Sequence, residues 1–95
     1  MLKIQVNETA EQVILEIEGR LAGPFVAVLE DCWLSALRSS AGRIICLDLR
    51  NVTCVDRTGR RLLQVMHGSG VQFLRAGLAI QDIVDEIREA PECKQ

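Results

Sequence analysis

The chain has 95 residues, which is one domain's worth, and a mass of 10.5 kDa. Hydrophobic residues at 48% and charged residues at 25% exclude a disordered chain, and eleven Lys+Arg against thirteen Asp+Glu leave a net charge of −2. That balance disfavours duplex DNA, which needs a basic excess, and 3% aromatics disfavour single-stranded nucleic acid, which needs stacking platforms.

Leu2, Ile4 and Val6 alternate with Lys3, Gln5 and Asn7, the period of a half-buried strand. The polar stretch 7–11 reads as a turn. Val13, Leu15 and Ile17 then form the inward face of a second strand, and the short link predicts an antiparallel hairpin. After Pro24 the period changes. Phe25, Val28, Leu29, Cys32, Trp33, Ala36 and Leu37 fall on one helical stripe, which fades at 39–42. Trp33 is expected at the seam between helix and sheet. Residues 44–49 are apolar until Asp48 and read as a central strand covered on both sides. Residues 51–58 read as a link and 60–67 as a second helix with Leu62, Leu63 and Met66 inward, stopped by Gly68 and Gly70. A fourth strand is predicted over 71–75. A third helix carries Ile80, Ile83, Val84 and Ile87, and Pro91 with the polar tail at 90–95 ends it.

The order β-β-α-β-α-β-α predicts an α/β fold. We expect one domain over 1–95 with its core at about 2–88, a mixed sheet of about four strands, and helices mainly on one face. No apolar run reaches the roughly 20 residues that span a membrane, and no leader pattern is visible, so a cytoplasmic protein without membrane insertion is expected. The four cysteines agree with a reducing compartment. Cys32 and Cys46 sit at apolar positions, Cys54 forms no CxxC pair, and Cys93 reads as an exposed thiol of the tail. One histidine, His67, at a helix C-terminus, and scattered cysteines offer no metal set and no nucleophile–base–acid arrangement. Gly68 and Gly70 lead into a strand, unlike a dinucleotide-binding turn. Neither enzyme activity, cofactor nor metal is expected.

The informative segment is LDLRNVTCVDRTGRRLL at 47–63. A strand leads through a short link into Asp56-Arg57-Thr58-Gly59, which opens a helix. This segment resembles the signature of the STAS domain, the fold of bacterial anti-sigma-factor antagonists and of the cytosolic tails of sulfate transporters. Asp48, Leu49, Val52, Val55, Asp56, Thr58, Gly59 and Leu63 match it. Leu15-Glu16-Ile17-Glu18-Gly19-Arg20-Leu21 resembles the family's second strand and turn, and Gly70-Val71-Gln72-Phe73-Leu74 resembles its later strand. The resemblance spans about residues 12–88.

The resemblance implies a non-enzymatic regulator of transcription that acts by protein–protein docking. The hydroxyl residue before the glycine, here Thr58, is the phosphoacceptor in phospho-regulated members, and the implied partner is an anti-sigma factor kinase. The docking residues carried over are Asp56, Arg57, Thr58, Gly59, Arg60 and Arg61. A phosphate at the first turn would be favoured by free N–H groups and the helix dipole, and would add about −1.5 to −2 charges to the docking surface. Gly59 would let a partner backbone approach.

Each of these residues also has a plain structural reading. Thr58 or Asp56 can be a helix cap, and the arginines can be a solvated face. Asp48 can be structural, held by loop N–H groups. The chain departs from the family at Ala22, where phospho-regulated members carry Asp, and at Arg57, where they carry a small hydroxyl residue. A second implied role is an accessory subunit of a lipid-transporting ABC system, in which the same motif docks on the ATPase without phosphorylation. Many family members continue with a further strand and helix, so strand 71–75 is expected at a sheet edge, where weak homodimerisation is possible.

Overall fold

A computed structural model describes residues 2–78 and 80–89. The strands are β1 (Leu2–Glu8), β2 (Gln12–Leu21), β3 (Ile44–Val55) and β4 (Gln72–Ala76), and the helices are α1 (Phe25–Ser39), α2 (Arg57–Gly68) and α3 (Gln81–Glu89). The α/β order and the four-stranded mixed sheet are those the hydrophobic periods predict. The strands lie in the order β1-β2-β3-β4, with β1 antiparallel to β2 and the other two pairs parallel. The expectations for residues 90–95, with Pro91 and Cys93, lie outside the described residues. No described helix is long and apolar enough to cross a membrane. Cys32, Cys46 and Cys54 are free thiols, and burial pushes the Cys32 and Cys46 thiols up from their ordinary value.

All three helices share one core with one face of the sheet. Val13, Leu15 and Ile17 of β2, Ile45, Leu47 and Leu49 of β3 and Phe73 of β4 pack with Val26, Leu29 and Trp33 of α1, Leu62, Leu63 and Met66 of α2, and Val84 and Ile87 of α3. Trp33 is buried there, and its indole N–H has no hydrogen-bond partner among the described residues. The C-terminus of α2 is closed by the N–H of Ser69 on Val65 and Met66 and that of Gly70 on His67. The His67 ring packs on Phe73, with ring centroids 5.6 Å apart.

Arg43 fastens the far end of the molecule. Its guanidinium donates to the carbonyls of Ser39 and Ser40 at the end of α1 and to that of Thr9 in the β1–β2 turn, and it pairs with Glu8 at 3.2 Å. A cation on the last carbonyls of a helix is favoured by the dipole.

β1 reaches Glu8 and β2 reaches Leu21, beyond their sequence-based bounds, and two further differences set up the site. β3 runs on to Val55, through residues that read as a link. Its register against β2 slips twice, between Glu16 and Glu18 and between Gly19 and Arg20, so β3 carries two extra residues there. Each bulge reverses the inward-outward alternation, which is why Leu49 and Val52 both reach the core at an odd spacing. The second difference is the start of α2, three residues earlier than the apolar stripe suggests, because its first turn is set by a cap.

The face of β3 away from the helices is also covered, as its apolar run predicts, but by neighbouring side chains and not by a layer of structure. Cys46 stands in register between Ile14 and Gln72, and Asp48 between Glu16 and Arg75. Cys46 donates its S–H to Gln12 Oε1 at 3.4 Å. Asp48 is buried in mid-strand and accepts the N–H of Arg50 at 3.0 Å, at the first bulge. It therefore serves the strand's own irregularity, and the N–H that it holds belongs to β3 and not to a loop.

Candidate functional site

Parallel strands β2 and β3 end side by side at Leu21 and Val55, and each feeds a helix from that end. The two helix N-termini are tied together by one carboxylate. Asp56 is the N-cap of α2, with extended backbone (φ −88°, ψ −174°). Its Oδ1 accepts the N–H of Gly59 at 2.8 Å and its Oδ2 accepts the N–H of Gly23 at 2.9 Å. Its main chain is used as well: the Asp56 N–H donates to the Leu21 carbonyl at 3.2 Å, and the Arg60 N–H donates to the Asp56 carbonyl at 2.8 Å. The N–H groups of Gly23 and then Gly59 hold the Asp56 carboxyl below its ordinary value of 3.8.

The glycines make this approach possible. Gly23 has φ +59°, a left-handed conformation that a side chain disfavours, in the loop between β2 and α1. Gly59 is buried. A Cβ there would lie 2.5 Å from the Leu21 carbonyl oxygen and 3.0 Å from Leu21 Cγ. The close approach that Gly59 permits is thus to the chain's own strand end, and the expected contact with a partner backbone is corrected.

Thr58 is exposed, at the second position of α2. It is not the cap, because Asp56 already holds the Gly59 N–H. The expectation of free N–H groups for a phosphate is narrowed for the same reason: of the first-turn donors, that of Gly59 is taken by the Asp56 carboxylate. Arg57 and Arg61 are exposed, whereas Arg60 is half-buried and forms an ion pair with Glu86 of α3. Of the six expected docking residues, Arg57, Thr58 and Arg61 share an exposed surface. Asp56 and Arg60 position it from behind, and Gly59 belongs to the interior.

Sequence reasoning missed three contributors. The Gly23 N–H holds the second Asp56 oxygen. Glu86 of α3 pairs with Arg60. Val65, one turn beyond Arg61, is 52% exposed, so the arginine-bearing face continues with an apolar residue. Its distance of four residues from Arg61 was the available signal. Beside the clamp, Arg20, Ala22, Gly23 and Phe25 line a shallow depression of about 210 Å³. Among the described residues, no three His, Cys, Asp or Glu side chains converge as a metal site.

Compared with known proteins, the chain matches no family model and no curated sequence. Within the motif, however, the structure separates two kinds of residue. Leu49, Val52 and Leu63 are core, Gly59 packs on Leu21, Asp56 is the clamp and Asp48 serves a bulge. Thr58 is the one matched residue that is exposed.

Two predictions follow from the clamp. Gly59→Ala forces the new Cβ onto backbone and should cost about 1–3 kcal/mol in urea unfolding. Asp56→Asn should lower Tm by a few degrees at neutral pH, because an amide offers one acceptor where the carboxylate offers two. Since the folded pKa lies below the unfolded one, the Asp56 contribution is present above the ordinary carboxylate range. It is lost as pH falls through the folded pKa, so the Tm gap between the two proteins should close below about pH 4.

Proposed function

We propose that the chain is a non-enzymatic regulatory protein that docks on another protein through the exposed face of Arg57, Thr58 and Arg61. The reading resembles the action of STAS-type anti-sigma-factor antagonists, with a kinase-type anti-sigma factor as partner and Thr58 as phosphoacceptor. The observation that carries it is the contrast within the motif. Its other matched residues are spent on the core, the bulge and the clamp, whereas Thr58 supports nothing around it and stands on a rigid platform.

Electrostatics supports the same face. α2 carries three arginines and no acidic residue. Cations near a helix N-terminus oppose the macrodipole, typically by 0.3–1 kcal/mol each at exposed sites. Arg60 is offset by Glu86, but Arg57 and Arg61 have no ion-pair partner among the described residues. Local cost without local compensation is a mark of a surface kept for binding. A phosphate on Thr58 would neutralise Arg57 and Arg61 and would stand next to the Asp56 carboxylate, changing the charge that a partner meets from positive to negative.

One observation favours the accessory-subunit reading, in which the same face docks on a transport ATPase and is never modified. The Asp56 carboxylate already occupies the Gly59 N–H, one of the first-turn donors open to a phosphate, and as a like charge it would repel one.

The test is incubation with a kinase-type anti-sigma factor and Mg-ATP, followed by intact mass and fragment mapping. One phosphate on Thr58, with loss of complex formation, supports the switch. A stable complex with no phosphate transfers the docking face to the unmodified reading. Thr58→Ala should change stability by less than about 0.5 kcal/mol, since the residue neither caps nor packs. Thr58→Glu should leave the fold intact and weaken the complex. Arg57→Glu combined with Arg61→Glu should weaken it at least tenfold and flatten its dependence on salt.

A further inference from the structure

The sheet has two edges, and they are not alike. β4 is five residues long, and Arg88 of α3 donates to its Phe73 carbonyl at 2.6 Å, so a charged side chain already sits on that strand's main chain. β1 is seven residues long and pairs with β2 without a register shift. No side chain among the described residues bonds to the main chain of residues 2–8. The strand has no proline and no bulge, the usual devices that blunt an edge, and its single lysine is Lys3. Val6 continues the apolar face of Leu2 and Ile4 and is 47% exposed.

We propose that β1 pairs antiparallel with β1 of a second copy of this chain, centred on Gln5, joining two four-stranded sheets into one of eight strands. The strand is self-complementary in that register. Antiparallel partners must share a sheet face, and about Gln5 every pair does. Ile4 meets Val6 of the second copy twice, closing the apolar face over the exposed valine. Leu2 meets Glu8, Lys3 meets Asn7, and Gln5 meets itself. No like charges stand opposite one another. The two charges of the strand are also balanced within each copy, since Lys3 lies in register with Glu18 of β2 and Glu8 pairs with Arg43. The edge therefore meets a copy of itself without electrostatic cost.

The pairing is weak. A seven-residue strand pair with its flanking side chains falls short of the roughly 1,200 Å² at which stable interfaces begin, which points to a dissociation constant on the order of 10⁻⁴ M. The dimer leaves the α2 face free, because β1 and β4 are opposite edges and α2 packs over β3.

Sedimentation equilibrium from 20 µM to 1 mM should show the mass rising toward twice that of the chain (concentrations chosen about the order of magnitude above). Amide shifts that change on dilution should be confined to residues 2–8 and their β2 neighbours. Val6→Lys puts a charge opposite Ile4 at an exposed position and should raise the dissociation constant at least tenfold with an unchanged circular dichroism spectrum. Leu74→Lys on the other edge should leave it unchanged. A monomer at 1 mM, or a dimer lost in Leu74→Lys and kept in Val6→Lys, would overturn the proposal. The dilution shifts of the unmodified chain decide the matter if Val6→Lys fails to fold.

Discussion

One carboxylate organises the end of the molecule where the candidate site lies. Asp56 accepts an N–H from α2 and another from the loop that opens α1, and its main chain bonds to the last residue of β2. A helix N-terminus has unpaired N–H groups and a partial positive charge, and an ionised side chain is the strongest local answer to both. Here the same anion answers a second segment 33 residues away. Two parallel strands and two helices are thereby joined at a point, and the residues that follow Asp56 inherit their directions from it. Gly59 turns inward onto Leu21, and Arg57, Thr58 and Arg61 turn out to solvent.

The clamp also changes what a helix N-terminus means in this protein. An open first turn would attract an anion from outside. This one holds its own aspartate on the Gly59 N–H, and the surrounding surface carries the further positive charge of Arg57 and Arg61. If the face docks as proposed, recognition would rest on side chains with long reach, with the exposed Val65 one turn on. The chain as a whole is acidic, so under the proposed docking the local cationic face would orient a negative partner surface toward α2.

Several parts of this arrangement were readable along the chain. Period-two alternation at 13–17 reports the face that β2 buries, and helical spacing at 25–37 places Leu29, Trp33 and Ala36 inward, whereas Val28 and Leu37 of the same stripe are exposed. The order of elements then restricts the sheet topology through the handedness of crossovers. Legibility failed where one residue answers to another far away. Residues 51–55 lose their alternation because β3 bulges against β2, and only the register of the pair shows that they remain strand. The start of α2 depended on a cap and not on its apolar stripe. Gly59 carried no local mark to show whether its neighbour was a visiting protein or Leu21.

The sequence by itself determined the element order, the α/β class and much of the core, because each rests on local periodicity and on the free energy of burying apolar surface; Val28 and Leu37 of the α1 stripe are exposed and Val26 is buried. Tertiary structure decided which residues of the 56–61 stretch face outward and which are spent within. That division arises from contacts between segments distant in the chain: Asp56 with Gly23, Gly59 with Leu21, and Arg60 with Glu86. No local pattern encodes such pairings, since the same six residues would be exposed in a different order had the end of β2 not come to lie beneath them.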